Sequence, residues 1–162
     1  LKGDGIGGDV WLDRSIPAAD RSRVLAAAVA RYRAHPQVET VFTAEELART
    51  APPRGAPDKW TMIQRVRAVY DPNRSGDFYV VLKQYVSPVA RPAPGYTATH
   101  GTPWDYDRRV PVLFWRKGMR EQNRAEAVDT ADIMPTLAAW LNLPLTGGAS
   151  DGRCLPAVAS CR

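Results

Sequence analysis

The chain has 162 residues, of which 44% are hydrophobic and five are tryptophan, and this length and composition suit a folded domain with its own core. No apolar run is long enough to cross a bilayer, so we expect no membrane partner. The formal net charge of +5 is compatible with an anionic partner. The arginines are scattered along the sequence rather than clustered, however, which indicates that they lie on solvent-exposed surfaces. The sequence opens on Leu1 rather than Met, and we interpret it as a segment cut from a longer polypeptide.

The N-terminal part begins with a glycine-rich turn, a strand and a helix. Residues 3–8 have the glycine spacing of a dinucleotide-binding turn, but that motif needs a strand before the glycines and a helix after them, and residues 9–12 alternate like a strand. We therefore discard nucleotide binding. Apolar residues at helical spacing predict a helix over about 17–34, which His35 and Pro36 end. His35 is accordingly a helix-end residue rather than a ligand.

The next elements continue the alternation of strands and helices. Residues 38–42 predict a strand, and Thr43 with Glu46 has the capping-box pattern that starts a short helix. Asp58 can cap a third helix, whose apolar stripe is typical of a core face rather than of a ligand site. The β-branched and aromatic run at 77–83 predicts a buried strand. Strands separated by helices indicate an α/β organisation.

The second half opens with a long connection over residues 87–99, which contains three prolines and one glycine. A connection of that length inside a compact domain is usually functional, and this one leads to the turn that holds His100. The apolar run at 110–115 predicts a strand whose Trp115 faces the core. Asp132 can cap a helix over 133–141, with Pro135 in the first turn, where the missing amide is tolerated.

His100 is the residue with the most informative chemistry. A neutral imidazole is a good zinc ligand, and Gly101 allows the backbone to approach a bulky site closely. Asp105 and Asp107 follow in the same turn, and their carboxylates are candidates for further ligands or for acceptors that fix the tautomer of the ring. A zinc site needs three or four protein ligands, and this chain offers one credible nitrogen donor, so the pattern alone also fits a structural or surface histidine.

Cys154 and Cys161 lie near the end of the sequence with six residues between them. The pair fits a disulfide formed in an oxidising compartment, and it equally fits two free thiols. Zinc ligation is less expected, because no further cysteine or nearby histidine completes a set of four ligands.

The turn around His100 resembles the C-terminal signature of the alkaline phosphatase superfamily. The similarity lies in Thr-His-Gly-Thr-Pro-Trp-Asp-Tyr-Asp at 99–107, followed by Val-Pro-Val-Leu-Phe at 110–114. It points to the branch that holds the phosphate-irrepressible alkaline phosphatases and the nucleotide pyrophosphatase/phosphodiesterases. Asp-Ile-Met-Pro-Thr-Leu at 132–137 resembles a helix of the same family, and Arg-Ser-Gly-Asp at 74–77 and Gly-Arg-Cys-Leu at 152–155 also fit its pattern.

The resemblance implies a zinc-dependent phosphohydrolase with two metal ions, in which a threonine or serine attacks phosphorus. Only His100 corresponds to a metal ligand of the family, whereas the nucleophile and the other ligands belong to sequence that precedes everything matched here. We therefore expect the full-length protein to hydrolyse phosphate mono- or diesters, and we expect this chain, its C-terminal portion, to be inactive alone. A periplasmic or secreted location is implied as well.

The resemblance also implies an architecture. Residues 1–75 are expected to form an α/β segment resembling a cap or insertion, and residues 76–162 to form part of a mostly parallel sheet with helices on both faces. The sheet should be open where the missing N-terminal part of the same polypeptide docks. Such an exposed edge can also drive self-association.

Two alternatives remain open. The first is a stand-alone basic α/β module that binds nucleic acid or another polyanion, which the net charge and the aromatic residues Trp104, Tyr106 and Trp115 near two arginines support. We do not favour nucleic acid as the partner, because no recognisable binding signature is present. The second is a pseudo-enzyme or regulatory domain that lacks the catalytic half.

Overall fold

The computed structural model describes residues 2–3, 7–89, 93–96, 98–145 and 150–161. The elements follow the chain in this order: β1 (Lys2–Gly3), β2 (Gly8–Trp11), α1 (Ala18–Arg33), β3 (Val38–Thr43), α2 (Ala44–Arg49), α3 (Met62–Arg67), β4 (Phe78–Leu82), α4 (Asp105–Arg108) and α5 (Ile133–Trp140). Short 3₁₀ helices at Pro57–Lys59 and Thr130–Asp132 precede α3 and α5. Within the described parts of the chain, no helix combines the length and the apolar character needed to span a bilayer.

The strands form one sheet in the order β1-β2-β4-β3, in which every neighbouring pair is antiparallel. Phe78 of β4 lies opposite Val10 of β2, and Val80 of β4 lies opposite Val41 of β3. The mixed α/β composition is as predicted, but the expectation of mostly parallel pairing is wrong for the described strands. The apolar pattern of a strand follows from which of its faces are buried, and a strand covered on both faces reads the same whether its neighbours are parallel or antiparallel.

The sheet carries helices on both faces, as predicted. Side chains alternate along β4, so Phe78, Val80 and Leu82 join a cluster that includes Val29 of α1. Val81 points the other way and packs with buried residues of α2 and α3. Burying both faces explains why β4 is apolar throughout rather than alternating in sequence.

Local capping signals set the starts of the helices. The capping box at α2 is present, since the Glu46 amide donates to Thr43 Oγ1 at 3.2 Å and the Thr43 amide donates to Glu46 Oε2 at 2.6 Å. Burial alone would raise the pKa of Glu46, but the bonds from Thr43 and the charge of Arg33 lower it below 4.5. Helix α3 differs from the prediction: it starts after Thr61, whose amide donates to Gln64 Oε1 at 2.9 Å, and Asp58 lies in the preceding 3₁₀ turn.

The chain folds into two compact units. The first unit contains Leu1–Pro53 and Trp60–Arg109, and the second contains Arg54–Lys59 and Val110–Arg162. The predicted division at residue 75, into a segment over 1–75 and a core portion over 76–162, stays a prediction. Because β4 is inserted between β2 and β3, the segments on the two sides of that boundary share one sheet and one core.

The second unit is organised by buried polar groups at the start of α5. Thr136 is fully buried, and its hydroxyl donates to the Asp132 carbonyl at 2.6 Å and accepts from the Leu155 amide at 2.9 Å. Asp132 does not cap α5 through its side chain as predicted, but accepts from the amides of Asp129 at 3.0 Å and Arg153 at 2.8 Å. These bonds tie the terminal segment to α5.

Residues 110–115 do not form the predicted strand. Val112 and Phe114 are half-buried while Leu113 and Trp115 are exposed, at 88% and 77%, so burial alternates as it would in a strand. Among the described residues, however, no other segment pairs with this one. A strand forms only where a neighbour satisfies its amides and carbonyls, which explains why the predicted strand is absent here. The expectation that Trp115 faces the core is also wrong, since its side chain is exposed.

Candidate functional site

His100 is exposed and lies in the segment that leads into α4. Gly101 beside it has a φ of +108°, a backbone conformation that residues with a side chain rarely adopt, and this explains the glycine at that position. In the part of the chain that the structure describes, the His100 imidazole makes no hydrogen bond.

The backbone that follows His100 is fixed by a carboxylate. Asp107 Oδ2 accepts from the Thr102 amide at 2.6 Å, which closes the turn between the first residues after Gly101 and the middle of α4. Across the same turn, the Trp104 amide lies 3.4 Å from Thr102 Oγ1. The consequence is that the path of the chain two residues after the imidazole is set by Asp107.

Two aromatic residues attach the turn to the end of β4. The Trp104 ring packs against the cluster on the α2–α3 side of the sheet, and its indole N–H donates to the Leu82 carbonyl at 2.8 Å. The Tyr106 hydroxyl accepts from the Tyr85 amide at 3.0 Å, and the two tyrosine rings stack with centroids 4.8 Å apart. The turn is consequently part of the folded first unit and not a free loop.

Asp105 has cationic partners. Its Oδ1 lies 3.1 Å from Arg65 Nη2 of α3 and 3.2 Å from Arg108 Nη1 of α4. Both arginines are largely buried, with side chains 14% and 18% exposed. The half-exposed Asp105 carboxylate thus gives both guanidinium groups a charged acceptor.

The structure brings the three predicted site residues His100, Asp105 and Asp107 into one turn. Within the described residues, neither carboxylate bonds the imidazole, so the two aspartates hold the turn rather than the ring. No group of three or more histidine, cysteine, aspartate or glutamate side chains that could hold a metal is found among the residues described. One imidazole nitrogen fits zinc by its chemistry, and further ligands would have to come from another part of the polypeptide.

The remaining titratable candidates lie elsewhere. His35 Nδ1 accepts from the Gln37 amide at 3.3 Å at the end of α1, the position expected from the sequence. Cys154 and Cys161 form a disulfide in the second unit, with Cα atoms 5.7 Å apart. Arg65 is the residue of this region that sequence reasoning missed, because its helical position resembles that of any other surface arginine.

The second unit has an open recess of about 530 Å³ that includes Trp140, Arg116 and residues 156–161 in its lining. The Arg116 guanidinium lies 4.9 Å from the centroid of the Trp140 ring. The Trp140 indole N–H is buried and has no hydrogen-bond partner among the described residues. A buried donor without an acceptor costs free energy, so we expect this N–H to bond a group outside the described residues.

The comparisons with known proteins identify the relatives of this chain. No family model matches it. It is 50% identical over 157 residues to alkaline phosphatase PhoK of Sphingomonas sp, an alignment that covers 96% of this chain. This chain is homologous to part of the alkaline phosphatases. It spans 28% of the length of PhoK, and 26% of alkaline phosphatase PhoD of Zymomonas mobilis, to which it is 45% identical over 148 residues covering 91% of this chain.

A solved structure agrees with this relationship. The crystal structure of wild-type alkaline phosphatase PafA matches 93% of this chain with a TM-score of 0.70 and 23% sequence identity, and the match covers 28% of PafA. This likeness establishes the fold. The predicted resemblance to the alkaline phosphatases and the predicted alkaline-phosphatase-like fold are both confirmed.

Proposed function

We propose that this chain is the C-terminal part of a zinc-dependent phosphohydrolase and that His100 supplies one ligand of its metal centre. The nucleophile, a threonine or serine, and the remaining ligands lie in the part of the polypeptide outside this chain. The observation that carries the proposal is the exposed imidazole of His100, which makes no hydrogen bond to a described residue and lies on a turn that α3 and β4 hold in place. Homology to alkaline phosphatases supports phosphate esters, mono- or diesters, as the substrates.

Zinc fits the chemistry offered at this turn. A bound pair of zinc ions would activate the nucleophile and stabilise the leaving oxygen of the ester. The residues of this chain would bind and orient: His100 donates a ring nitrogen, Gly101 provides the backbone conformation, and Asp107 fixes the turn through the Thr102 amide. The Cys154–Cys161 disulfide supports a periplasmic or secreted location, because disulfides persist in oxidising compartments.

The remainder of the same polypeptide is the partner we propose for the second unit. Several large apolar side chains of this unit are exposed, among them Leu113 at 88%, Leu141 at 66% and Leu143 at 58%. Exposed apolar side chains of this size are typical of surfaces that another part of a protein covers. The relatives are more than three times longer than this chain, which gives a polypeptide large enough to cover it.

A chimera tests the role of His100. In PhoK, the matching segment is replaced by this chain, and zinc content and hydrolysis of p-nitrophenyl phosphate are measured. We expect His100→Ala to lower zinc affinity and turnover by about 100-fold or more, because a ligand is lost. His35→Ala is the matched control and should change neither. Unchanged zinc affinity in His100→Ala would contradict the proposal.

Two of the three aromatic residues that supported the nucleic-acid alternative make contacts within this chain. Trp104 is partly buried against the cluster of α2 and α3 and donates to the Leu82 carbonyl, while the half-exposed Tyr106 ring stacks on Tyr85. We therefore expect this chain to show no salt-sensitive binding of a single-stranded oligonucleotide in a titration.

We also expect this chain to hydrolyse no p-nitrophenyl phosphate by itself when zinc is added.

A further inference from the structure

We propose that Arg65 positions the His100 turn, and this inference rests on the proposed role of His100 as a ligand. Arg65 lies on α3, 35 positions before the imidazole in the sequence. Its side chain is only 14% exposed, which is unusual for a charged group and requires compensating bonds. Those bonds connect it to the turn.

Each nitrogen of the Arg65 guanidinium has a separate partner. Nε donates to the Trp60 carbonyl at 3.0 Å, Nη1 donates to the Pro103 carbonyl at 3.0 Å, and Nη2 lies 3.1 Å from Asp105 Oδ1. Two of the three partners belong to the turn, and they lie on either side of Trp104. Arg65 therefore fixes both the backbone before α4 and the first residue of α4.

The geometry requires arginine rather than any cation. A planar guanidinium can address three acceptors in fixed directions, whereas a lysine ammonium is a compact charge that cannot reach the same set. Loss of Arg65 would leave the Pro103 carbonyl without this donor, and Asp105 would keep its ion pair with Arg108. An acceptor left unsatisfied in a partly buried site costs free energy, so the turn would shift or open.

The effect reaches His100 through a short chain of contacts. Arg65 holds Asp105 at the start of α4, Asp107 on the same helical turn holds the Thr102 amide, and Gly101 alone separates Thr102 from His100. The imidazole itself has no bond to a described residue, so its position depends on this backbone. Partners that orient a metal ligand indirectly typically change metal affinity by about 10- to 100-fold when they are lost.

Arg65→Met and Arg67→Met form a matched pair for the test. Arg67 is also on α3, and it donates to the Thr50 carbonyl at 2.9 Å and the Tyr70 carbonyl at 3.3 Å, which are outside the His100 turn. In the metal-free chain, we expect Arg65→Met to speed hydrogen exchange in peptides spanning 100–109 by about 10-fold. In the PhoK chimera, it should weaken zinc affinity by about 10-fold in a chelator competition, while Arg67→Met lowers thermal stability but leaves both quantities unchanged.

Further variants keep the test decisive. If Arg65→Met does not fold, Arg65→Lys replaces it and should give the same effects at reduced size. A double variant with Asp105→Asn should weaken zinc affinity by less than the sum of the two single effects, because the two residues share one contact while each also has a partner of its own. Normal exchange or normal zinc affinity in the Arg65 variants, with zinc lost in His100→Ala, would overturn this inference and leave the proposed function standing. Unchanged zinc affinity in His100→Ala would overturn both.

Discussion

Replacing Gly76 with alanine would make a methyl group clash with the backbone of β2. A Cβ built on Gly76 lies 2.6 Å from the oxygen, 2.7 Å from the nitrogen and 3.0 Å from the carbonyl carbon of Val10. These atoms cannot rotate away, because Val10 is paired with Phe78 in the sheet. The Gly76 amide also donates to Asp9 Oδ1 at 2.6 Å, and this bond holds Gly76 close to β2.

The size of the effect follows from what must move. Overpacking typically costs about 1–3 kcal/mol, and a clash with backbone belongs at the upper end, so we expect Gly76→Ala to lower the free energy of unfolding by about 3 kcal/mol. With a urea m-value of about 1–3 kcal/mol/M, the midpoint of urea unfolding falls by about 1 M or more. A drop of this size is a large part of a typical total stability of about 5–15 kcal/mol.

Gly7→Ala is the control for this measurement. A Cβ on Gly7 meets only the side chain of Leu82, at 3.2 Å, and the end of a leucine can adjust. We expect this variant to lose less than about 1 kcal/mol. If circular dichroism gave Gly76→Ala the same urea midpoint as the unsubstituted chain, the close approach to Val10 would not limit stability and the reasoning would fail.

Three further predictions concern other parts of the chain. The pKa of Glu46 is lowered in the fold, so its contribution to stability is present above pH 4.5 and is lost as the pH falls through the lowered value. Glu46→Gln should therefore flatten this part of the pH dependence of the urea midpoint. An unchanged profile would contradict the prediction. Thr136→Val removes the buried acceptor of the Leu155 amide and should cost about 1–3 kcal/mol in urea unfolding, with Thr136→Ser close to the original stability. Leu113→Glu should reduce self-association in sedimentation velocity, because Leu113 is 88% exposed; equal association of both chains would exclude this surface.

The sequence predicted those elements whose signals are local. Apolar residues at helical spacing identified α1 within one residue at each end, and the apolar runs identified β3 and β4. The Thr43–Glu46 capping box was predicted from two residues three positions apart. In each case, the interaction that forms the element is made by the residues that carry the pattern.

The features that sequence reasoning missed depend on distant partners. The antiparallel direction of the sheet depends on how the connections return, and nothing in the apolar pattern of a strand encodes it. Helix α4 has four residues, too few for a periodic signal, and it is held by Arg65 from α3 and by Leu82 and Tyr85 near the end of β4. For the candidate site, His100 was found through its family motif, whereas its support was not, because Arg65 acts across 35 positions of sequence.

The proposed ligand is supported by contacts within this chain, whereas the other ligands of the proposed metal site are not part of it. The contacts that hold the turn, from Arg65, Leu82 and Tyr85, all belong to the first compact unit. The backbone beside His100 should therefore be ordered before any metal or other ligand is present, so binding would not require ordering this turn. Slow exchange of the Thr102 amide in the metal-free chain is the expected result. Exchange at the rate of an unstructured peptide would mean that the turn forms only when the rest of the polypeptide is present.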